Sequence, residues 1–182
     1  CEEFLGDRSL HIDWTHQQQW GDFGMQTAAA APGAPGSPLR IGEKTFERGL
    51  GHHANGEIVI DLKGQFVEFR SLIGVQWQGG NRGSVVFRIA VDGAVVFESP
   101  PMSDSDPAQE VNLPLQHAHE LRLIATDAGD GIGSDMANWV EARLVRDPHS
   151  PIFGTITTAL AGQPAPPASA STCGFSLIAS DA

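Results

Sequence analysis

The segment RGLGHHANGEIVIDL, residues 48–62, decides the fold. In its second half apolar and polar side chains alternate, so that Ile58, Ile60 and Leu62 fall on one face. A period of two is typical of a half-buried β-strand. The first half is rich in glycine and polar residues, which are typical of the turns that join strands. The segment therefore predicts a strand entered from a glycine-rich loop, where binding residues concentrate.

The same alternation recurs downstream. Two sets of side chains share a predicted buried face: Val67, Phe69, Ile73 and Val75, then Val85, Phe87, Ile89 and Val91. Asp92-Gly93 follows the second set and precedes another apolar run, which is a strong hairpin signal. Shorter strands are predicted at residues 10–14, 110–115, 120–126 and 138–145. Without a convincing helical period, the chain is predicted to be all-β, an antiparallel β-sandwich of roughly eight to ten strands with jelly-roll-like connections.

Length and charge limit the function classes. The chain has 182 residues, which suits one domain with tails, and its net charge is −11. The 11 basic residues are scattered, so the basic patch needed to bind nucleic acid is missing from the sequence. No apolar run approaches the ~20 residues of a membrane-spanning helix.

Composition predicts three parts. Residues 1–7 are an N-terminal anchor segment, residues 8–146 the sandwich, and residues 147–182 a Pro/Ala-rich tail. Residues 27–38 have small side chains, Gly and Pro, and are predicted to form an extended surface loop with little to bury. The tail ends on the apolar segment 173–178, which either docks on a partner or sheet edge or belongs to a disordered tail.

Cys1 admits several interpretations. A chain that starts at cysteine is what bacterial lipoprotein processing leaves, and acyl chains there would anchor it on the periplasmic or extracellular side of a membrane. Alternatively Cys1 forms a disulfide with Cys173, the other cysteine, or merely marks an arbitrary boundary. The lipid-anchored, extracytoplasmic protein is the prediction.

Four ordered motifs carry a family resemblance: residues 39–55, residues 83–87 with 91–93, residues 126–132, and Asn138-Trp139. Together they resemble the NPCBM domain, which overlaps the family 51 carbohydrate-binding modules, over residues 8–145. The resemblance implies a galactose-binding-domain-like β-sandwich that binds terminal galactose-type sugars, usually as an appendage of a glycoside hydrolase.

Five residues are predicted to contact a sugar: His53, Asn55, Trp77, Asn138 and Trp139. His53 and Asn55 match the family's histidine-alanine-polar position, and such side chains can hydrogen-bond hydroxyl groups. Tryptophan stacks well on sugar rings, but it is also a common core residue. Trp139 is therefore open to either role, as are Trp14 and Trp20, while Trp77 is the best exposed candidate.

Asp127, Asp130 and Glu141 are predicted metal ligands. Aspartates in a glycine-rich loop suit calcium, which takes oxygen ligands, and the resemblance implies a structural calcium in this fold. The alternative is that Asp127 and Asp130 cap tight turns. The pattern is not that of a glycosidase acid pair, so a non-catalytic protein is predicted.

Two functions share this fold. The first is a membrane-tethered carbohydrate-binding module displayed outside the cytoplasm. The second is a structural subunit of a membrane or envelope complex, which docks on protein partners through the sandwich and the tail and keeps only a vestigial sugar site. Retained motifs favour the first; the cysteine start and the tail favour the second.

Overall fold

A computed structural model describes residues 1–7 and 12–149. This part of the chain is all-β and contains thirteen strands. They are β1 (Glu2–Phe4), β2 (Trp14–Gln18), β3 (Gly24–Met25), β4 (Leu39–Ile41), β5 (Lys44–Phe46), β6 (Gly49–His53), β7 (Gly56–Asp61), β8 (Phe66–Val75), β9 (Val86–Val91), β10 (Ala94–Glu98), β11 (Gln109–Pro114), β12 (Glu120–Thr126) and β13 (Met136–Arg146). No helix in the described residues is long and apolar enough to cross a membrane.

Two antiparallel sheets form the sandwich. The first has the order β11-β8-β13-β6-β3, with β1 also paired to β13, and the second has the order β10-β9-β12-β7-β2. The β4–β5 hairpin stands apart from both sheets. The predicted antiparallel β-sandwich is confirmed.

The core between the sheets follows the period-two pattern. Ile58, Ile60, Phe87 and Ile89 are at most 1% exposed, as their alternation predicts. Asp92 and Gly93 both have positive φ, +47° and +83°, as the hairpin turn between β9 and β10 requires. In β8 the prediction for Val67 was wrong: Val67 is only partly buried, and Phe66 takes the core position beside a register shift in the pairing with β13.

A third layer covers the outer face of the first sheet. Residues 31–35, 37 and 38 are exposed, as predicted for a surface loop, but the prediction that residues 27–38 have little to bury was wrong at Ala28 and Ala29. Ala28 and Ala29 are 0% and 4% exposed, because this segment lies directly against β6. A side chain on Gly51 would meet Thr27 O at 2.6 Å, so only small residues permit this approach. The β4–β5 hairpin packs on the same outer face, where Leu39, Ile41 and Val140 are buried together.

Strand register brings the candidate site to one end of the sandwich. In the first sheet β6 ends at His53 opposite Met136, where β13 begins, and β8 ends at Val75 opposite Ala137. In the second sheet β12 lies between β7 and β9. The end of β12 is beside Gly56, where β7 begins, and beside Val86, where β9 begins. The loops 19–23, 54–55, 76–85 and 127–135 therefore lie together, and we call this end the loop end.

The N-terminal segment joins the sheet at the opposite end. β1 pairs with the last residues of β13, and Arg146 N donates to Cys1 O at 2.8 Å. The strand predicted at residues 10–14 begins later, at Trp14. Cys173, the apolar segment 173–178 and most of the predicted tail lie outside the described residues, so both uses of Cys1 stay predictions.

Candidate functional site

Trp139 lies in the core, which contradicts its predicted contact with a sugar. The side chain is fully buried, its ring meets the edge of Phe87 at 5.2 Å, and its Nε1 donates to His52 Nε2 at 2.8 Å. No part of the indole is available to a ligand. Trp139 is the largest buried side chain in the described residues and serves packing.

Asn138 is also fully buried, on the outer face of the first sheet. Its Nδ2 donates to Gln76 Oε1 at 2.7 Å. Gln76 also accepts from Arg40 N and donates to Pro38 O, so this amide pair ties the third layer to the sheet. The prediction that Asn138 contacts a sugar was therefore wrong, because the side chain has a structural role and no exposed surface.

His53 is 3% exposed and supports another residue. Its Nδ1 donates to Ala54 O at 2.6 Å, and its ring meets the Trp20 ring edge-on at 5.1 Å. Trp20 is 40% exposed. The sequence left Trp20 undecided between core and surface; the following Gly21-Asp22 pair, a turn signal, indicated the surface.

Asn55 is exposed at the loop end, as its predicted role requires. Its Nδ2 donates to Gln19 Oε1 at 3.0 Å and to Asp127 Oδ2 at 3.2 Å, and its Oδ1 accepts from Asp127 N. Asn55 therefore links the loop that carries Trp20 to the loop between β12 and β13.

Trp77 is half-buried and borders a concavity of about 220 Å³. One wall is the alanine-rich segment, residues 28–37, and the other is formed by residues 76–78 with Met136. Arg40 lies over the Trp77 ring, 5.2 Å from its centre, and Trp77 N donates to Arg40 O. A half-exposed indole beside amide side chains is an arrangement that suits a sugar ring.

Asp104 holds the loop that carries Trp77. Its carboxylate is fully buried and accepts hydrogen bonds from Gln78 N, Gly80 N and Arg82 N. Burial alone would raise the pKa of Asp104, but these backbone donors together hold the pKa below its ordinary value. Sequence analysis missed this residue, because nothing local marks an aspartate whose partners lie more than 20 residues away.

The predicted calcium ligands do not converge. Asp127 and Asp130 share the loop after β12, where Asp127 Oδ1 accepts from Gly129 N in a tight turn. Glu141 lies five residues into β13, about 16 Å along the strand from Met136. Within residues 1–7 and 12–149 no three histidine, cysteine or carboxylate side chains are grouped as a metal site.

Asp135, in the same loop, is the residue that bears most on a cation. It is fully buried; Oδ1 accepts from Ser84 N at 2.7 Å, but Oδ2 has no hydrogen-bond partner among the described residues. Burial raises the pKa of Asp135, and the charges of Asp130 and Asp127 raise it further. Asp135 Oδ2 is therefore a buried carboxylate oxygen in this loop without a hydrogen-bond partner among the described residues, whereas Glu141 lies in β13.

The family model described as the NPCBM/NEW2 domain matches residues 8–145. The chain belongs to the NPCBM/NEW2 family. Because solved CBM51 modules share the fold, the chain is a CBM51-like domain of the NPCBM/NEW2 family, and this membership supports a non-catalytic sugar-binding domain.

Two solved structures are similar to this chain in sequence and in fold. The CBM51 module of Clostridium perfringens GH95, solved in complex with methyl-galactose, is 25% identical with a TM-score of 0.69, over 80% of this chain and 100% of that one. The M60 catalytic domain with two CBM51 domains from Clostridium perfringens ZmpB matches at 30% identity and a TM-score of 0.69, over 80% of this chain and 15% of that one.

One curated relative is much longer than this NPCBM/NEW2 chain. It is a protein of Renibacterium salmoninarum, provisionally named an endo-alpha-N-acetylgalactosaminidase, 31% identical over 118 residues. The match covers 64% of this chain and spans only 8% of that relative's length. The likeness therefore concerns one module of a larger protein.

Proposed function

We propose that this domain binds a galactose-type sugar in the concavity beside Trp77. The observation that carries the proposal is the half-exposed indole bordering a 220 Å³ depression at the loop end. The GH95 module, whose full length matches this chain, was solved in complex with methyl-galactose, and this supports the class of sugar.

The chemistry of the concavity suits one small ring. Its volume is below the ~300–1,000 Å³ of pockets for drug-sized ligands. Trp77 offers an apolar face for the C–H side of a pyranose, as aromatic rings do in such sites. Gln78 anchors its amide nitrogen on Ser134 O at 2.7 Å, which leaves the amide oxygen to accept from a sugar hydroxyl.

Calorimetric titration with methyl-galactoside tests the proposal. We expect the wild-type chain to bind and Trp77→Ala to lose binding at least tenfold, because the stacking face is removed. Val95→Thr is the matched control, because Val95 is an exposed apolar residue, 58% accessible, on β10 and away from the loop end. Equal affinity in wild type and Trp77→Ala, or no binding by either, would refute the proposal.

Calcium binding stays a prediction, and its strongest support is the unpartnered Oδ2 of buried Asp135. Calcium titration should detect binding that Asp135→Asn weakens, because the anionic oxygen is lost. Glu141→Gln should leave that binding unchanged, because Glu141 lies far from the loop. The docking-subunit alternative uses the sandwich and the tail, residues 147–182, and residues 150–182 lie outside the described part of the chain.

A further inference from the structure

One edge of the second sheet carries exposed apolar side chains. β10 is the last strand of that sheet, and among the described strands it pairs only with β9. Val95 and Val96 of β10 are 58% and 50% exposed, whereas most large apolar side chains of the described residues are buried. Leaving these valines in water forgoes the free energy that burial would supply. An edge of this composition is a template on which a further strand can pair.

The other edge strands are protected against such pairing in ways that β10 is not. β11, at one edge of the first sheet, contains Glu110 and ends at Pro114, and charges and proline on an edge hinder pairing. β2, at the far edge of the second sheet, exposes three polar side chains, and β3 has only two residues. In β10 the only charged residue, Glu98, is paired with Arg88 of β9. The register shift around Val96 is a bulge, but it leaves two successive valines exposed.

The backbone of β10 offers hydrogen-bonding groups to such a strand. Ala94 lies opposite Val91 across a two-residue turn, so these two residues form a hydrogen-bonded pair. Because the pairing alternates along the strand, Val95 directs its N–H and C=O away from β9. The Val95 side chain is on the outer face of the sheet, since its partner Ala90 follows the core residue Ile89. An added strand can therefore bond to the Val95 backbone and cover its side chain.

The described chain ends close to the start of β10. His117 Nε2 is 3.4 Å from Asp147 Oδ2, so the loop between β11 and β12 contacts the segment that follows β13. Two residues along that loop, His119 N donates to Asp92 Oδ1 at 2.9 Å. Asp92 is in the turn that leads into β10. The chain beyond His149 therefore continues from the end of the sandwich at which β10 begins.

Residues 152–160 have the chemistry of a strand that fits this edge. The segment has the sequence IFGTITTAL and begins three residues after the described part of the chain ends. Isoleucine and threonine are enriched in strands. In an extended chain Ile156 and Leu160 share one face, so both can pack against the exposed valines. Fully extended, residues 152–160 span about 30 Å, nearly twice the length of β10, which leaves residues to cover the approach.

Charge and tethering favour this segment over a second copy of the chain. The chain has a net charge of −11, so two copies repel each other. Residues 150–180 contain no charged side chain, so this part of the tail brings no like charge to the domain. A segment of the same chain also meets β10 at an effective concentration that short linkers raise to the millimolar range. The chain's own segment is therefore the occupant that these observations favour.

We propose that residues 152–160 pair with β10 as a sixth strand of the second sheet and cover Val95 and Val96. The segment runs parallel to β10, because it approaches from the end at which β10 begins. The Pro/Ala-rich residues that follow then leave the domain toward the loop end, where β10 ends. The inference does not depend on the proposed sugar site, because β10 does not line the concavity.

Amide hydrogen exchange of the 182-residue chain, followed by nuclear magnetic resonance, tests the pairing. We expect the Val95 N–H to be protected in the wild-type chain, and Ile156→Asp to speed its exchange at least tenfold, because a charge enters the added strand. Ile178→Asp is the matched control, since it places the same charge in the tail outside the segment, and it should leave the Val95 rate unchanged. Val96→Asp should speed exchange of the amides of residues 156–160 to a similar extent. The N–H of Leu123, in β12, should keep its protection in every variant if the sandwich stays folded.

Each alternative occupant gives a different result. If the Val95 N–H of the wild-type chain exchanges as an unprotected amide, or if Ile156→Asp leaves its protection unchanged, the pairing is refuted. Protection that is lost on dilution of the protein would mean that a second copy covers β10, and would overturn the proposal. Loss of protection in Ile178→Asp would assign β10 to residues 173–178 in place of residues 152–160.

Discussion

Two neighbouring histidines on β6 each contact a tryptophan, with opposite consequences. His52 is fully buried, accepts a hydrogen bond from Trp139, and lies nearly parallel to that ring at 11° and 6.3 Å. His53 meets Trp20 edge-on at 65°, and Trp20 reaches solvent. Successive residues of a strand point to opposite faces, so one pair belongs to the core and the other to the loop end.

The difference teaches that residue type alone does not assign a role in this domain. The buried pair serves stability, because Trp139 Nε1 donates to His52 Nε2 and the indole packs against Phe87 of the second sheet. His52 Nδ1 has no hydrogen-bond partner among the described residues. The exposed pair adds little to the core and presents an indole in a fixed orientation. Stability and binding should therefore respond separately to mutation of the two pairs.

The largest expected effect is on the buried pair. Trp139→Ala should lower the free energy of unfolding by about 4 kcal/mol, because it leaves a cavity and removes the partner of His52. Trp20→Ala should lower it by only about 1 kcal/mol, because the side chain is exposed and loses chiefly its ring contact with His53. Urea denaturation followed by circular dichroism measures both.

Trp139→Phe provides a folded reference should Trp139→Ala fail to fold. It keeps an aromatic ring against Phe87 but has no Nε1 donor for His52. We expect it to be less stable than Trp20→Ala. Equal losses in Trp139→Phe and Trp20→Ala would remove the distinction between a core pair and a surface pair.

The second effect separates the two histidines by pH. Burial, together with the smaller effects of the charges of His16 and His53, lowers the pKa of His52 from 6.5 to about 3. The unfolded chain therefore binds a proton below pH 6.5 that the folded chain does not accept above pH 3. Binding of this proton by the unfolded chain lowers the free energy of unfolding by about 2 kcal/mol at pH 5 relative to pH 7.

His52→Gln should remove this acid destabilisation, because glutamine does not titrate and its amide oxygen can still accept from Trp139 Nε1. The matched variant His53→Gln keeps His52 and should therefore retain the acid destabilisation. Urea denaturation at pH 5 and pH 7 gives the difference for each protein. If His52→Gln shows the wild-type pH dependence, His52 is not the source.

The third effect tests the exposed pair by a double-mutant cycle. His53→Ala and Trp20→Ala should be coupled by about 1 kcal/mol in unfolding free energy, because the ring contact is lost once in either variant. His52→Gln and Trp20→Ala should be additive within ~0.5 kcal/mol, because they share no contact. Coupling of the second pair as strong as that of the first would contradict the division of β6 into two faces.

The strands of the second sheet could be predicted from the sequence because one face of that sheet is exposed to solvent. In β7 and β12 the alternation of apolar and polar residues is visible, and Ile58, Leu121 and Leu123 are buried as expected. β6 is buried at all five positions and β13 at most of its first half, because the third layer covers their outer face. Alternation then carries no information about which side chain is core.

The site was harder to predict for the same physical reason. Asn138 looks like an exposed binding residue until the covering layer is known, and that layer was predicted to be a surface loop. The signal for that layer was present in the match between small alanines and Gly51, which allows backbone to approach backbone. Trp139 is on the opposite face of β13 and is buried against Phe87 of the second sheet.

Asn55 was placed on the surface correctly, since it follows a strand in a polar loop. The prediction that Trp77 is the best exposed tryptophan was wrong, because Trp77 is half-buried and Trp20 is 40% exposed.

The smallest effect concerns the hydrogen bonds that hold the Trp20 loop. Asn55→Ala removes the amide that bridges Gln19 and Asp127, but these bonds are exposed, so the loss in unfolding free energy should be about 0.5 kcal/mol. Asn112→Ala, which removes an exposed bond to Glu110 on β11, is the matched control. Thermal denaturation should distinguish neither variant strongly from wild type.

The informative measurement for Asn55→Ala is the indole N–H resonance of Trp20. If backing by His53 orients the ring, the resonance should shift little in Asn55→Ala and strongly in His53→Ala, because only the second variant loses the ring contact. A larger shift in Asn55→Ala would mean that the hydrogen-bonded loop, and not the histidine, fixes the indole. The exposed pair would then no longer be the counterpart of His52 and Trp139.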